Sequence, residues 1–260
     1  MDVTQSFWLG LVQGLTEFLP VSSSGHLLLL EKLFGIASSD ITFEVLLHAG
    51  TLLAVIAVYW RRIWNMICHP LTSELPLLVV ATVPAVIAAL LFDFDTAFEG
   101  EYLGFSFLIT TLILWLADLV GGLAPKRKAV GWPSAVVMGV MQAVAIMPGI
   151  SRSGSTISGG VATGLSRKRA ADFAFLMSIP AILGSIVLEL AGGGIGQLAA
   201  ESLTPVLVGV GTAAVSSFLA IKLMLAIVRR VRLTWFGLYT GVLGVLILLD
   251  QYLFHYVFIP

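Results

Sequence analysis

The sequence predicts an all-α polytopic membrane protein: six transmembrane helices plus two re-entrant helical hairpins, arranged as inverted-topology repeats. Three observations predict it. The 260 residues are 58 % hydrophobic and only 11 % charged, against about 25 % charged in an ordinary soluble domain. Apolar stretches recur along the chain near the length of about 20 residues that crosses a hydrocarbon core. Two of them are broken in the middle by Ser, Gly and Pro, and the two breaks resemble each other. A net charge of −1, from 14 basic and 15 acidic residues, leaves no general basic surface for nucleic acid. The single cysteine, Cys68, excludes an internal disulfide and a multi-thiolate metal site. Residues 1–5 carry no basic group, so the apolar run after them is expected to stay in the mature protein rather than act as a cleaved signal.

In chain order, the first element is the broken stretch 6–35, interrupted at Pro20-Val21-Ser22-Ser23-Ser24-Gly25. Spans are expected at 41–60, 75–92 and 102–121. A second broken stretch follows at 132–165, interrupted at Pro148-Gly149-Ile150-Ser151-Arg152-Ser153-Gly154, and then spans at 170–191, 204–228 and 234–257. Neither half of a broken stretch is long enough to cross, so each pair is read as a hairpin that descends to mid-depth and returns. Irregular backbone at that depth survives only where protein or a wet cavity satisfies it, so each break points to a polar pocket. At an offset of 129, Gly10 matches Gly139, Gln13 matches Gln142, Ser22 matches Ser151, Ser24 matches Ser153 and Gly25 matches Gly154. Each hairpin precedes three spans. That odd number of crossings makes residues 122–260 an inverted copy of 1–121 within one membrane domain.

The charges test this arrangement independently. It sends Arg61, Arg62, Lys126, Arg127, Lys128, Arg167, Lys168, Arg169, Arg229, Arg230 and Arg232 to one face, which is 11 of the 14 basic residues. Lys32 lies on the other face, Arg152 in the second break, and Lys222 close enough to the basic face to snorkel. The opposite face carries the acidic loop Asp93, Asp95, Glu99 and Glu101. The positive-inside rule makes the basic face cytoplasmic, so both termini and the entry of the first hairpin face outward.

Glu17, His26 and Arg152 are the ionisable groups expected at depth, where a charge costs about 2.5 to 3.5 kcal/mol on insertion scales. Gln13 and Glu17, four residues apart, share a helix face and can present oxygens to a hard cation such as Mg²⁺ or Ca²⁺. An ion pair of Glu17 with Arg152, gluing the two breaks together, is the structural alternative. Ser22, Ser23 and Ser24, with Ser151 and Ser153, sit where the returning half-helices begin. One serine in each break suffices as a cap; the excess, with two helix N-termini and the Arg152 fork, describes an anion site. His26 adjoins the serines and suits a general acid or base, or itself a phosphoryl acceptor. His48, Glu44 and Asp118 carry less weight, each lying toward a helix end or inside a span without a motif. Gly-rich faces at Gly10 and Gly14 serve packing within one chain or a homodimer.

The run Leu9-Gly10-Leu11-Val12-Gln13-Gly14-Leu15-Thr16-Glu17-Phe18-Leu19-Pro20-Val21-Ser22-Ser23-Ser24-Gly25-His26, with Pro148 to Gly154, resembles the undecaprenyl-pyrophosphate phosphatase family, also known as bacitracin-resistance proteins. The resemblance covers essentially the whole chain. The family's Glu/Gln-x-x-x-Glu signature falls on Gln13 and Glu17, its Ser-Ser/Thr-Gly-His on Ser23 to His26, and its Pro-Gly-x-Ser-Arg-Ser-Gly on Pro148 to Gly154. Gln13 leaves one anionic ligand fewer than a Glu would.

The resemblance implies removal of the terminal phosphate from a polyisoprenyl diphosphate lipid, with a divalent cation, at the outer face of a bacterial plasma membrane. Catalytic roles are expected for Glu17, Ser23, His26 and Arg152; substrate binding for Ser22, Ser24, Gly25, Ser151, Ser153 and Gly154; metal binding for Gln13 and Glu17. Ser23 is the leading nucleophile with His26 relaying protons, while His26 itself and a cation-bound water stay open as attackers. A secondary transporter or lipid flippase is the competing class, because inverted repeats with a midplane anion site also build transporters.

Overall fold

The computed structural model describes residues 2–36, 41–92, 100–121, 129–191 and 203–258. Asp93, Asp95, Glu99, Lys126, Arg127 and Lys128 lie outside the described residues. The described residues form ten α-helices: α1 (Val3–Glu17), α2 (Ser23–Phe34), α3 (Ile41–Cys68), α4 (Leu75–Leu91), α5 (Leu103–Gly121), α6 (Trp132–Val144), α7 (Arg152–Ala162), α8 (Arg167–Ala191), α9 (Leu203–Ile227) and α10 (Leu233–Leu249). Four of them, α3, α5, α8 and α9, and α10 together with the helical turn that continues it to Phe254, are long and apolar enough to cross a membrane. The sixth expected span, α4, is apolar but only 17 residues long.

Sequence chemistry sets the boundaries. Asp2 and Gln5 close a capping box at the start of α1, with Gln5 N donating to Asp2 Oδ1 at 2.7 Å. Gly35, left-handed at φ 61°, ends α2. Helix α3 runs past the expected end at residue 60 as far as Cys68. The extension is anchored at its polar end: Arg62 of α3 and Arg169 of α8 both pair with Glu74, the residue before α4, and Tyr59 donates to Asp172 at 2.9 Å. The last span ends sooner than expected. After Leu249 one π-helical turn intervenes, and Asp250 gathers the N–H groups of Tyr256, Val257 and Phe258 at 2.8 to 3.0 Å, folding the tail back.

The packing follows a simple exchange. α1 lies along α9, α6 lies along α4, α3 meets α8 and α5 meets α10. Gly10 makes the first contact tight, because a Cβ there would stand 2.3 Å from the Gly209 carbonyl oxygen; at Gly139 a Cβ would stand 2.5 Å from the Ala81 carbonyl oxygen. Gly14 is spent in the same way against Ala213 and Ser216 of α9. These two glycine faces therefore pack within the chain.

The core gathers α7 and α8 side chains, Ile157, Phe173, Phe175, Leu176 and Met177, around Phe18 and Met138. α7 is the most enclosed element, buried from Ser153 through Val161. Large apolar residues such as Leu90, Leu119, Val187, Val215 and Leu253 remain exposed on the outside, as expected of a multi-pass protein solvated by lipid.

Candidate active site

The site lies where the two helix breaks touch. α1 ends at Glu17 and α2 begins at Ser23, leaving residues 18–22 to make the turn. Ser22 adopts φ 70°, a left-handed conformation that costs a non-glycine residue of order 1–3 kcal/mol. Two bonds hold it there. Its Oγ accepts from Gly25 N at 3.4 Å, and its carbonyl lies 2.6 Å from His26 Nδ1. A carbonyl only accepts, so Nδ1 carries the ring proton and Nε2 accepts from the Tyr239 hydroxyl at 2.7 Å.

The second break is built alike. Ser151 caps α7, its Oγ accepting from Gly154 N at 3.0 Å. Gly149 turns the chain at φ 88°, and Thr110 of α5 clamps that turn, donating to Gly149 O at 2.9 Å and accepting from Ser151 N at 3.0 Å. Ser153 Oγ then crosses to the first break and donates to Leu19 O at 2.8 Å.

This interlock brings Arg152, the first residue of α7, onto Glu17, the last of α1. Glu17 Oε1 pairs with the Arg152 guanidinium. Glu17 Oε2 accepts from the Ser23 hydroxyl at 2.5 Å and from Gln13 Nε2 at 3.1 Å, and His48 Nε2 stands 3.6 Å away. The Glu17 side chain is 2 % exposed and the Arg152 side chain 22 %. Arg152 thus reaches toward open space while Glu17 is sealed behind it. A cavity of about 190 Å³ opens there, lined by Glu17, Ser22, Ser23, Ser24, His48 and Arg152, with Glu44 beside them. At roughly 30 Å³ per water, it has room for a phosphate group and a few waters.

Several expected ligands do other work. Ser151 and Ser153 spend their hydroxyls on the cap and on the cross-tie, and neither they nor Gly154 line the cavity. Gly25 faces Phe107, whose ring a Cβ would meet at 2.7 Å. His26 also lies off the cavity, stacked 5.7 Å from the Tyr239 ring. His48 and Glu44, given little weight in the sequence, do line it, and His48 Nδ1 is fixed by Glu44 O at 2.8 Å. Their signal was the i, i+4 spacing of two polar residues on an otherwise apolar span. Asp118 is structural. It accepts from Arg167 Nη2 at 2.6 Å and from Thr234 N and Oγ1 at 2.9 and 2.8 Å, fastening the start of α10.

A hydroxyl donating to a buried carboxylate beside a guanidinium can supply a nucleophile, a proton acceptor and a clamp for phosphate oxygens. Fold and site together define a multi-pass membrane protein with polar machinery at the junction of two broken helices. The chain belongs to the family described as bacitracin resistance protein BacA, whose model matches residues 6–246. It is similar to an undecaprenyl-diphosphatase of Carboxydothermus hydrogenoformans, 46 % identical over 257 residues, covering 96 % of this chain and 98 % of that one. Undecaprenyl-diphosphatase 4 of Bacillus thuringiensis is 39 % identical over 97 % of this chain and 98 % of its own. The undecaprenyl-diphosphatase of Halothermothrix orenii is 37 % identical over 96 % and 98 %.

Proposed function

We propose that the chain is an integral membrane phosphatase that hydrolyses undecaprenyl (polyisoprenyl) diphosphate to the monophosphate and inorganic phosphate. The reaction recycles the lipid carrier for cell-wall synthesis and confers bacitracin resistance. The observation that carries the reading is the Ser23 hydroxyl, 2.5 Å from the Glu17 carboxylate in a cavity that Arg152 also lines. The family and the names of the relatives support it; the relatives named above are diphosphatases, and nothing favours the transporter.

Arg152 binds the terminal phosphate and draws it against Ser23. Ser23 Oγ attacks the terminal phosphorus and passes its proton to Glu17. The new O–P bond forms as the bond to the bridging oxygen breaks, and the bridging electron pair leaves with the lipid monophosphate. Water then cleaves phosphoserine, releasing phosphate and restoring the serine proton. His26 holds the Ser22–Ser23 turn through the Ser22 carbonyl, a positioning role in place of the proton relay expected from its place in the sequence. His48, 3.6 Å from Glu17, is placed to steady the carboxylate as it takes up the proton.

A divalent cation, Mg²⁺ or Ca²⁺, would be held by Glu17 and Gln13 only with the Gln13 amide turned over, because here its Nε2 rather than its oxygen faces Glu17 Oε2, at 3.1 Å. Gln13 Oε1 is buried without a hydrogen-bond partner among the described residues. No group of three or more His, Cys, Asp or Glu side chains placed to hold a metal ion occurs among the described residues, so phosphate oxygens and water would complete the shell. The cation would neutralise charge on the phosphate.

The broken pairs α1–α2 and α6–α7 are read as re-entrant hairpins of two inverted repeats, with α4 as the sixth span. The exchange packing supports this: each hairpin's first helix lies on the second span of the other half, and first and third spans each pair across the halves. The active site opens to the outer face of the bacterial plasma membrane, where both termini lie, because the basic loops mark the opposite face.

Purified protein is expected to release phosphate from a polyprenyl diphosphate in a cation-dependent manner, with release abolished by chelator, Glu17→Gln and Arg152→Ala. Full activity in Ser23→Ala would overturn the nucleophile. Substrate uptake into proteoliposomes without phosphate release would overturn the phosphatase.

A further inference from the structure

A larger cavity, about 940 Å³, lies apart from the catalytic one and shares none of its lining residues. It is enclosed by the end of α5, the turn from α7 into α8 and the turn from α9 into α10. Four cationic side chains line it, Arg167, Lys168, Arg229 and Arg232, against one carboxylate, Asp118. That carboxylate is fully committed. One oxygen takes Arg167 and the other takes both donors of Thr234.

Arg167 is therefore neutralised and held in place, while Lys168, Arg229 and Arg232 form no ion pair among the described residues. A net excess of three positive charges faces the cavity. The start of α8, where Ser166 Oγ accepts from Arg169 N at 3.3 Å, adds a helix N-terminus of the same sign.

The walls say which anion fits. Trp115 and Leu119 of α5 line the cavity and are 46 % and 68 % exposed on the outer, apolar surface of that helix. The Trp115 indole donates to Thr234 O at 3.2 Å, holding the ring at the rim, where an amphipathic ring marks the membrane–water interface. A cationic lining beside exposed apolar surface of α5 matches a lipid headgroup rather than a free ion, and basic pockets between transmembrane helices recognise such headgroups. We propose that this cavity binds the phosphate headgroup of an anionic membrane lipid on the basic face of the protein. Val161 and Leu165, at the end of α7 and just beyond it, also line the cavity, so the bound headgroup braces the helix whose opposite end carries Arg152.

Native mass spectrometry of the detergent-purified protein tests this, with phosphatidylglycerol, phosphatidylcholine and inorganic phosphate as probes. Wild type and Arg61→Gln, an exposed arginine outside the cavity, are expected to retain one phosphatidylglycerol in preference to phosphatidylcholine. Arg229→Gln/Arg232→Gln loses two charges worth about 1 kcal/mol each near a membrane surface, so retention is expected to weaken on the order of thirtyfold. Lys168→Gln, on a different element, weakens it in the same direction and so separates headgroup binding from a local distortion of the α9–α10 turn. Undiminished retention in both variants, or equal retention of phosphatidylcholine, would overturn the site. Displacement of the lipid by equimolar inorganic phosphate would overturn its assignment to a lipid.

Discussion

The ion pair between Glu17 and Arg152 joins the two halves of the chain, and its worth can be worked from burial. Arg152→Met keeps the length of the side chain and removes the charge, leaving Glu17 with a side chain only 2 % exposed. Breaking a buried pair costs about 3–5 kcal/mol, because the surviving charge is uncompensated. Glu17 keeps two donors, the Ser23 hydroxyl and the Gln13 amide, so the lower end applies: about 3 kcal/mol, or roughly 6–12 °C in melting temperature at 2–4 °C per kcal/mol. Glu17→Gln is expected to be milder, because the Arg152 side chain it strands is 22 % exposed and lines the cavity, where water can reach it; a loss of about 1–2 kcal/mol is expected. With both charges gone no buried ion remains, so the double variant is expected to melt above Arg152→Met, while all three variants lose phosphate release. Thermal melts in detergent measure the cycle. Effects that add within about 0.5 kcal/mol would refute the reasoning, since uncoupled residues behave that way.

His26→Asn preserves a donor near the Ser22 carbonyl and is expected to retain far more activity than His26→Ala; equal loss in both would refute the positioning role, and a drop in kcat with little change in KM is the expected signature. Gly10→Ala and Gly139→Ala each force a methyl against a backbone carbonyl and are expected to destabilise by about 1–3 kcal/mol. Gly184→Ala, with nothing within 4 Å of the new methyl, is expected to be neutral or to stabilise by up to about 1 kcal/mol through helix propensity; the same melts compare the three. Gln13→Glu adds a second carboxylate beside Glu17 and is expected to lower the half-saturating Mg²⁺ concentration for phosphate release, read by titration after chelator treatment.

The helix breaks were legible because Pro, Gly and clustered Ser in an apolar run leave backbone groups that lipid cannot satisfy. The convergence of Glu17, Ser23 and Arg152 followed, since isolated charges at depth need partners. The second tip is harder to read because N-caps and phosphate ligands use the same residue type: here the Ser151 hydroxyl bonds the local turn and the Ser153 hydroxyl bonds Leu19 O. Adjacency in the chain points His26 toward the site, whereas its ring turns to Tyr239, 213 residues away, a contact that no local pattern encodes. His48 is hard to find in the sequence for the opposite reason. It sits in an unbroken helix, and only the docking of α3 against the first break makes it a neighbour of Glu17.

On the repeat reading, the offset of 129 separates scaffold from chemistry. Positions that match across the copies, Gly10 with Gly139, Ser22 with Ser151 and Ser24 with Ser153, do the same mechanical work in each: close helix approach, cap and hydroxyl pair. Positions that differ carry the reactive groups. Ser23 corresponds to Arg152, Glu17 to Ile146, and His48 to the fully buried Met177. Gln13 and Gln142 expose the consequence. The first donates to Glu17, whereas the second faces a copy in which that partner has become isoleucine, and neither atom of its buried amide finds a hydrogen bond among the described residues. A pocket with carboxylates in both copies would bury two like charges, and one with arginines in both would do the same with the opposite sign. Placing the acid and the hydroxyl on one copy and the guanidinium on the other gives an ion pair that is buried without net charge, and on the proposed function it would part as a phosphate reaches Arg152. On that reading the apparatus needs its two halves unequal, as a reaction confined to one face of a membrane would require.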